Sequence, residues 1–174
     1  MLRAIAIADP FKYTAKPNPV VGALLVSKET IISEGAHERF GENHAEHEAI
    51  KNLDEMVKGL TMYVSLEPCT HTGKTGACLD LIDPEVFDRV VIAEKDPNSE
   101  ASGSIEKLKK RGIKVDLGLL KHEARKLNKR FYVFHEQKRP YVILKYASTL
   151  DGFIAQENGY SKWITNEKSR KENH

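Results

Sequence analysis

The sequence predicts an α/β fold. Short apolar runs alternate along the chain with segments of helical spacing, the pattern of strands laid against helices. Two adjacent runs near the start are joined by a two-residue turn, and several later segments end at a glycine or a proline.

The elements follow in order. Residues 1–8 have helical character. Val20 to Ser27 and Ile31 to Ala36 read as strands joined at Lys28-Glu29, an antiparallel hairpin. His44 to Met56 spaces Ala45, Ala49, Ile50 and Leu53 as a helix does, with Asn43 placed to cap it. Thr61 to Leu66 is a short strand of β-favouring residues. Leu79 to Ile82 opens a helix that Pro84 ends. Arg89 to Ala93 reads as a buried strand. Ile105 to Arg111 is a helix that stops at Gly112, and Ile113 to Leu117 a short strand. One long helix is predicted from about Leu120 to Glu136. Arg139-Pro140 breaks the pattern and marks a domain junction, dividing 1–139 from 140–174. Beyond it, Tyr141 to Ala147 reads as a strand with no evident partner.

Composition narrows the class. The chain has 174 residues, 40% hydrophobic and 30% charged, as expected of a globular protein. Its longest apolar run, Val20 to Val26, is too short to span a bilayer. No basic leader with a small-residue cleavage site follows Met1, so a cytoplasmic location is expected and no membrane partner. A net charge of +2 argues against a protein that coats nucleic acid. The basic run Lys107-Leu108-Lys109-Lys110-Arg111 suits the solvated face of an amphipathic helix.

The chemistry is concentrated in His44-Ala45-Glu46, Pro68-Cys69 and Cys78. One imidazole and two thiolates make a three-ligand zinc set. A structural site usually closes with four protein ligands, whereas a catalytic one leaves a position open for water. Glu46, two residues from His44, is not needed as a ligand and suits general acid/base work on that water. With no secretory signal, two cysteines point to a metal rather than a disulfide. Cys78 lies at a helix start, where peptide N–H groups favour the thiolate. Zinc deaminases share a His-x-Glu and Pro-Cys-x-x-Cys signature. Here eight residues separate the two cysteines.

Pro17-Asn18-Pro19-Val20-Val21-Gly22-Ala23, His44-Ala45-Glu46 and the stretch from Leu66-Glu67-Pro68-Cys69 through Thr70-His71-Thr72-Gly73-Lys74-Thr75-Gly76-Ala77-Cys78 resemble the bifunctional riboflavin-biosynthesis deaminase/reductase family. Asp96-Pro97-Asn98, Arg139 to Lys145, Ser148 to Gly152 and Ser161 to Thr165 extend the similarity over essentially the whole chain.

The resemblance implies a cytidine-deaminase-like three-layer α/β/α sandwich with a mixed sheet, followed by an incomplete C-terminal reductase segment. It implies hydrolysis of 2,5-diamino-6-(5-phosphoribosylamino)pyrimidin-4-one to 5-amino-6-(5-phosphoribosylamino)uracil and ammonia. By motif matching, His44, Cys69 and Cys78 hold one zinc ion per chain and Glu46 shuttles the proton. Asn18, His37, Lys74, Thr75 and Asn98 match substrate-contacting positions. In the reductase segment Ala147 and Trp163 match contacts to NADPH and Ser161 a contact to substrate. The resemblance also implies a homo-oligomer. The stiff Pro-Asn-Pro backbone suits Asn18 to aim its amide, and Lys74-Thr75 offers a cation and a hydroxyl to a phosphoribosyl group.

The 35 residues from Pro140 to His174 are too few to bury a nucleotide-binding core, so no reductase activity is expected of this chain. Two other readings stand beside this one. A deaminase of another nucleotide or of a nucleic-acid base should carry the compact Cys-x-x-Cys, and on RNA a basic face. A zinc-stabilised binding module without catalysis has no use for Glu46.

Overall fold

The computed structural model describes residues 1–53, 57–72 and 76–172. Two compact units divide the chain, Met1–Tyr141 and Val142–His174.

In the first unit a five-stranded sheet runs in the order β2-β1-β3-β4-β5. Strands β1 (Gly22–Ser27) and β2 (Thr30–Ala36) form the expected hairpin, and β1 also pairs antiparallel with β3 (Leu60–Val64). From β3 onward β4 (Phe87–Ile92) and β5 (Lys114–Leu117) are parallel. Lys28 and Glu29 both take positive φ, at 46° and 69°. That backbone gives a two-residue turn the right-handed twist its flanking strands need.

Helices cover both faces. Between the parallel strands lie α3 (Cys78–Leu81) and α4 (Ser104–Lys110), the crossovers that parallel strands require. With α2 (Ala45–Lys51) they pack on Leu25, Leu60, Met62, Val64, Val90 and Ile92, the alternate residues of three strands that face one side. Helix α4 buries Ile105 and Leu108 and turns Lys107, Lys109 and Lys110 outward, so the basic run is the solvated face of an amphipathic helix. The opposite face is taken by α1 (Leu2–Ala8) and by Phe11, Ala15 and Val20 against Leu127.

Two glycines let helices approach the sheet closely. A Cβ on Gly22 would sit 2.0 Å from the Ala4 carbonyl oxygen, and one on Gly35 would sit 2.3 Å from the Ala49 nitrogen. Only glycine fits such contacts.

The long C-terminal helix of the sequence reading is two helices, α5 (Lys121–Leu127) and α6 (Lys129–Gln137). Asn128 between them leaves helical geometry at φ −110°, ψ 30°. Its side chain is committed instead to the backbone of Val20, accepting from the Val20 N–H at 2.9 Å and donating to the Val20 carbonyl at 2.8 Å. A tertiary contact thus overrides the local helical pattern.

In the second unit the predicted strand from Tyr141 to Ala147 is not formed. A strand requires a ladder partner, and none pairs with it among the described residues. Local turns dominate instead, with Thr149 N–H donating to the Phe153 carbonyl and Gln156 N–H to the Tyr160 carbonyl, both at under 3 Å. One helix, α7 (Glu167–Glu172), follows. None of this unit's described residues is buried.

Candidate metal and deaminase site

Sheet direction decides what meets at the site. Because β1 runs against β3 and β4, the start of β1 and the ends of β2, β3 and β4 all lie on one edge. Asn18 precedes β1, His37 and His44 follow β2, Cys69 follows β3, and Asn98 follows β4. Segments distant in sequence therefore converge at the edge where the sheet changes from antiparallel to parallel, a favoured position for sites in α/β proteins.

His44 Nδ1 lies 3.2 Å from Cys78 Sγ and 3.6 Å from Cys69 Sγ, and the three atoms fall within 4.8 Å of one another. Zinc bonds of ~2.0–2.3 Å in tetrahedral array would space such donors roughly 3.5–3.8 Å apart. One imidazole nitrogen and two sulfurs at these separations fit zinc in distance and in chemistry.

The local structure explains the arrangement. His44 is the N-cap residue of α2, which places Glu46 in its first turn. Cys78 is the first residue of α3, and its N–H points back to Cys69 Sγ at 3.4 Å. The helix start therefore serves the other cysteine from the one expected. The Cys78 thiol, the Cys78 N–H and His44 together hold the Cys69 thiol down at about 4, against burial. Cys78 itself is raised, by its hydrogen bond to Cys69 and by burial. Before a metal arrives, the pair thus holds one thiolate and one thiol.

Glu46 is buried, 3% exposed, and lies against the Cys78 sulfur. Burial raises its pKa, with His44 opposing. A carboxyl that exchanges protons easily is what an acid/base role needs.

Beside the cluster, His37 is buried and edge-on to His44, with ring centroids 5.3 Å apart. Its Nδ1 is 2.9 Å from the Asn43 carbonyl, which can only accept, so that nitrogen carries the proton. Its Nε2 then accepts from the Asn18 amide at 3.2 Å. Burial lowers the His37 pKa and keeps the ring neutral. Asn43 does not cap α2. Its amide donates to Glu48 Oε1 at 2.7 Å, and His44 occupies the cap position.

Asn98 sits in a loop built of Asx turns. Its N–H donates to Asp96 Oδ1 at 2.8 Å, and its own oxygen accepts from Glu100 N–H at 3.2 Å. The same loop brings Ala101 against Cys69 and Cys78. Lys74 and Thr75 lie outside the described residues. Ala147, Ser161 and Trp163 fall in the second unit, all exposed, with the Arg170 guanidinium 4.1 Å from the Trp163 ring centroid.

Glu67 went unassigned in the sequence although it stands within the quoted motif. It is buried and accepts from Asp96 N–H, Gly103 N–H, the Ser104 hydroxyl and Ile105 N–H, tying the Asn98 loop and the start of α4 to the Cys69 segment. A buried carboxylate is tolerated only with such partners. Its place beside Pro68-Cys69 was the available signal, but its partners lie about thirty or more residues away.

Mixed sheet, flanking helices and a three-donor centre with a buried carboxylate define a zinc-dependent hydrolytic deaminase of cytidine-deaminase-like fold. The model of the cytidine and deoxycytidylate deaminase zinc-binding region matches residues 1–94, and that of the RibD C-terminal domain matches residues 140–174. The chain belongs to this deaminase family, in its riboflavin-biosynthesis branch. It is 47% identical to the riboflavin biosynthesis protein RibD of Aquifex aeolicus over all of its own length and 49% of that protein. It is 43% identical to the diaminohydroxyphosphoribosylamino-pyrimidine deaminase of Buchnera aphidicola, over 76% of this chain and 90% of that protein. Among solved structures, the Thermotoga maritima diaminohydroxyphosphoribosylaminopyrimidine deaminase/5-amino-6-(5-phosphoribosylamino)uracil reductase superposes with TM-score 0.92 at 45% identity, covering 98% of this chain and 50% of that one. The chain spans about half the length of the RibD relatives it matches. No helix among the described residues is long and apolar enough to cross a membrane.

Proposed function

We propose that the chain hydrolyses 2,5-diamino-6-(5-phosphoribosylamino)pyrimidin-4-one, releasing ammonia and 5-amino-6-(5-phosphoribosylamino)uracil. The observation that carries this reading is the convergence of His44 Nδ1 and two cysteine sulfurs beside a buried carboxylate. The Buchnera relative, named for this deamination, supports the choice of substrate.

His44, Cys69 and Cys78 hold one zinc ion, which supplies the Lewis acidity that brings a water's pKa towards ~7. Glu46 takes a proton from that water as its oxygen bonds to the ring carbon bearing the 2-amino group. It then returns the proton to the departing nitrogen, so the C–N bond breaks and ammonia leaves. Burial of Glu46 keeps this proton from bulk water. Asn18, held by His37, faces a polar edge of the pyrimidine, and Asn98 contributes from the loop after β4. Lys74 and Thr75 take the phosphoribosyl group.

Residues 140–174 form the opening segment of a reductase-type domain. Ala147, Trp163 and Ser161 contact NADPH and substrate only once that domain is complete. Ammonia release from the diaminopyrimidine, compared with release from deoxycytidylate, tests the assignment. A strong preference for the diaminopyrimidine is expected, and a preference for deoxycytidylate would overturn it.

A further inference from the structure

We propose that Asn128 is a positioning residue for the Asn18 amide. One buried side chain, 7% exposed, grips both backbone polar groups of Val20, with bonds of 2.9 and 2.8 Å. The contact spans 108 residues of sequence. Asn18 lies two residues before Val20, and its N–H donates to the Ala15 carbonyl at 3.0 Å. Residues 18–20 are therefore fixed from both sides, by Ala15 and by Asn128. From that backbone the Asn18 amide reaches His37, which packs on His44.

Asn128 is itself held firmly. Its carbonyl accepts from Tyr132 N–H at 3.1 Å at the start of α6. One turn earlier, Arg125 bonds Glu94 at 3.2 Å and Glu136 at 2.6 Å, and lies 4.2 Å from the Tyr132 ring centroid. Glu94 in turn ends β4, so the clamp is braced against the sheet. A flexible surface asparagine could not fix Val20; one at a braced helix junction can.

A simpler role exists. Val20 is buried and precedes the first ladder residue of β1, so its backbone groups need partners wherever Asn18 points. The two roles separate in the His37 ring. If Asn128 sets Asn18, losing the clamp removes the donor from His37 Nε2. If it only satisfies Val20, His37 is untouched.

The test uses the full zinc-loaded chain with Asn128→Asp and Asn128→Ala. The aspartate keeps the shape and the acceptor for Val20 N–H but sets an oxygen against the Val20 carbonyl. It decides the matter if the alanine variant does not fold. The ring 15N resonances of His37 are recorded below the melting temperature, with Asn18→Ala marking a ring that lacks its donor. The Nε2 resonance is expected to move towards that reference, with zinc content unchanged. Because the kinetic arm rests on the proposed reaction, it is read separately. KM for the diaminopyrimidine is expected to rise about tenfold with kcat nearly unchanged, the mark of lost substrate positioning. Variants that melt lower yet keep the wild-type His37 resonance and KM would overturn the proposal. If the wild type turns over none of this substrate, the proposed reaction fails, and the His37 resonance alone decides for or against Asn128.

Discussion

Asp96 illustrates what individual residues at the rim contribute. It is half-buried beside Glu67 and within electrostatic reach of Cys69, and burial lifts its pKa to about 6 against an ordinary 3.8. The folded state therefore holds the Asp96 proton more tightly than the unfolded chain. The stability this gives is complete below the unfolded value and falls away as pH rises through about 6. Asp96→Asn keeps an oxygen for the Asn98 N–H and removes the ionisation. Urea midpoints measured from pH 4 to 8 should show the wild type losing stability relative to this variant up to about pH 6, with a constant gap above. A gap independent of pH would contradict the account. Single residues also divide by how readily sequence reveals them. His44, Glu46, Cys69 and Cys78 sit in short motifs, because two helix starts deliver them. Glu67 and Asn128 act on partners far away in the chain, and nothing near them in sequence announces that.

At the scale of elements, the site depends on how closely α2 rides on β2. Gly35 permits that approach, since a Cβ there would meet the Ala49 nitrogen at 2.3 Å and the Ala45 carbonyl oxygen at 2.5 Å. The obstruction is backbone, which cannot rotate aside. Gly35→Ala should destabilise the protein by about 1–3 kcal/mol, the usual cost of overpacking. It should also weaken zinc binding, because α2 carries His44 at its start. Thermal melting and zinc titration check both effects, and a variant with native melting and native zinc affinity would count against this packing. Most strands and helices were readable from apolar spacing, with boundaries displaced by one or two residues. Two expectations failed for tertiary reasons. The helix from Leu120 to Glu136 breaks because Asn128 finds better partners on Val20. The strand from Tyr141 to Ala147 does not form because no ladder pairs with it among the described residues.

For the whole molecule, the chemistry belongs to Met1–Tyr141. The core, the three donors and Glu46 all lie within it. In Val142–His174, Val142, Leu144 and Trp163 are 75%, 83% and 70% exposed. Apolar surface left in water adds no stability to the folded state. A chain ending at residue 141 should therefore keep its melting temperature and its rate of ammonia release, while becoming more soluble. A lower rate would place part of the working site beyond Tyr141. The central claim, that a zinc-bearing centre served by Glu46 deaminates the diaminopyrimidine, is tested most directly by ammonia release. The comparison is between the zinc-loaded chain and its Glu46→Gln variant at matched zinc content. The account predicts steady release from the wild type and a loss of roughly 10²–10⁴-fold in the variant, the range for a general acid/base. Equal rates from the two proteins, or no ammonia from a folded, zinc-replete wild type, would contradict it.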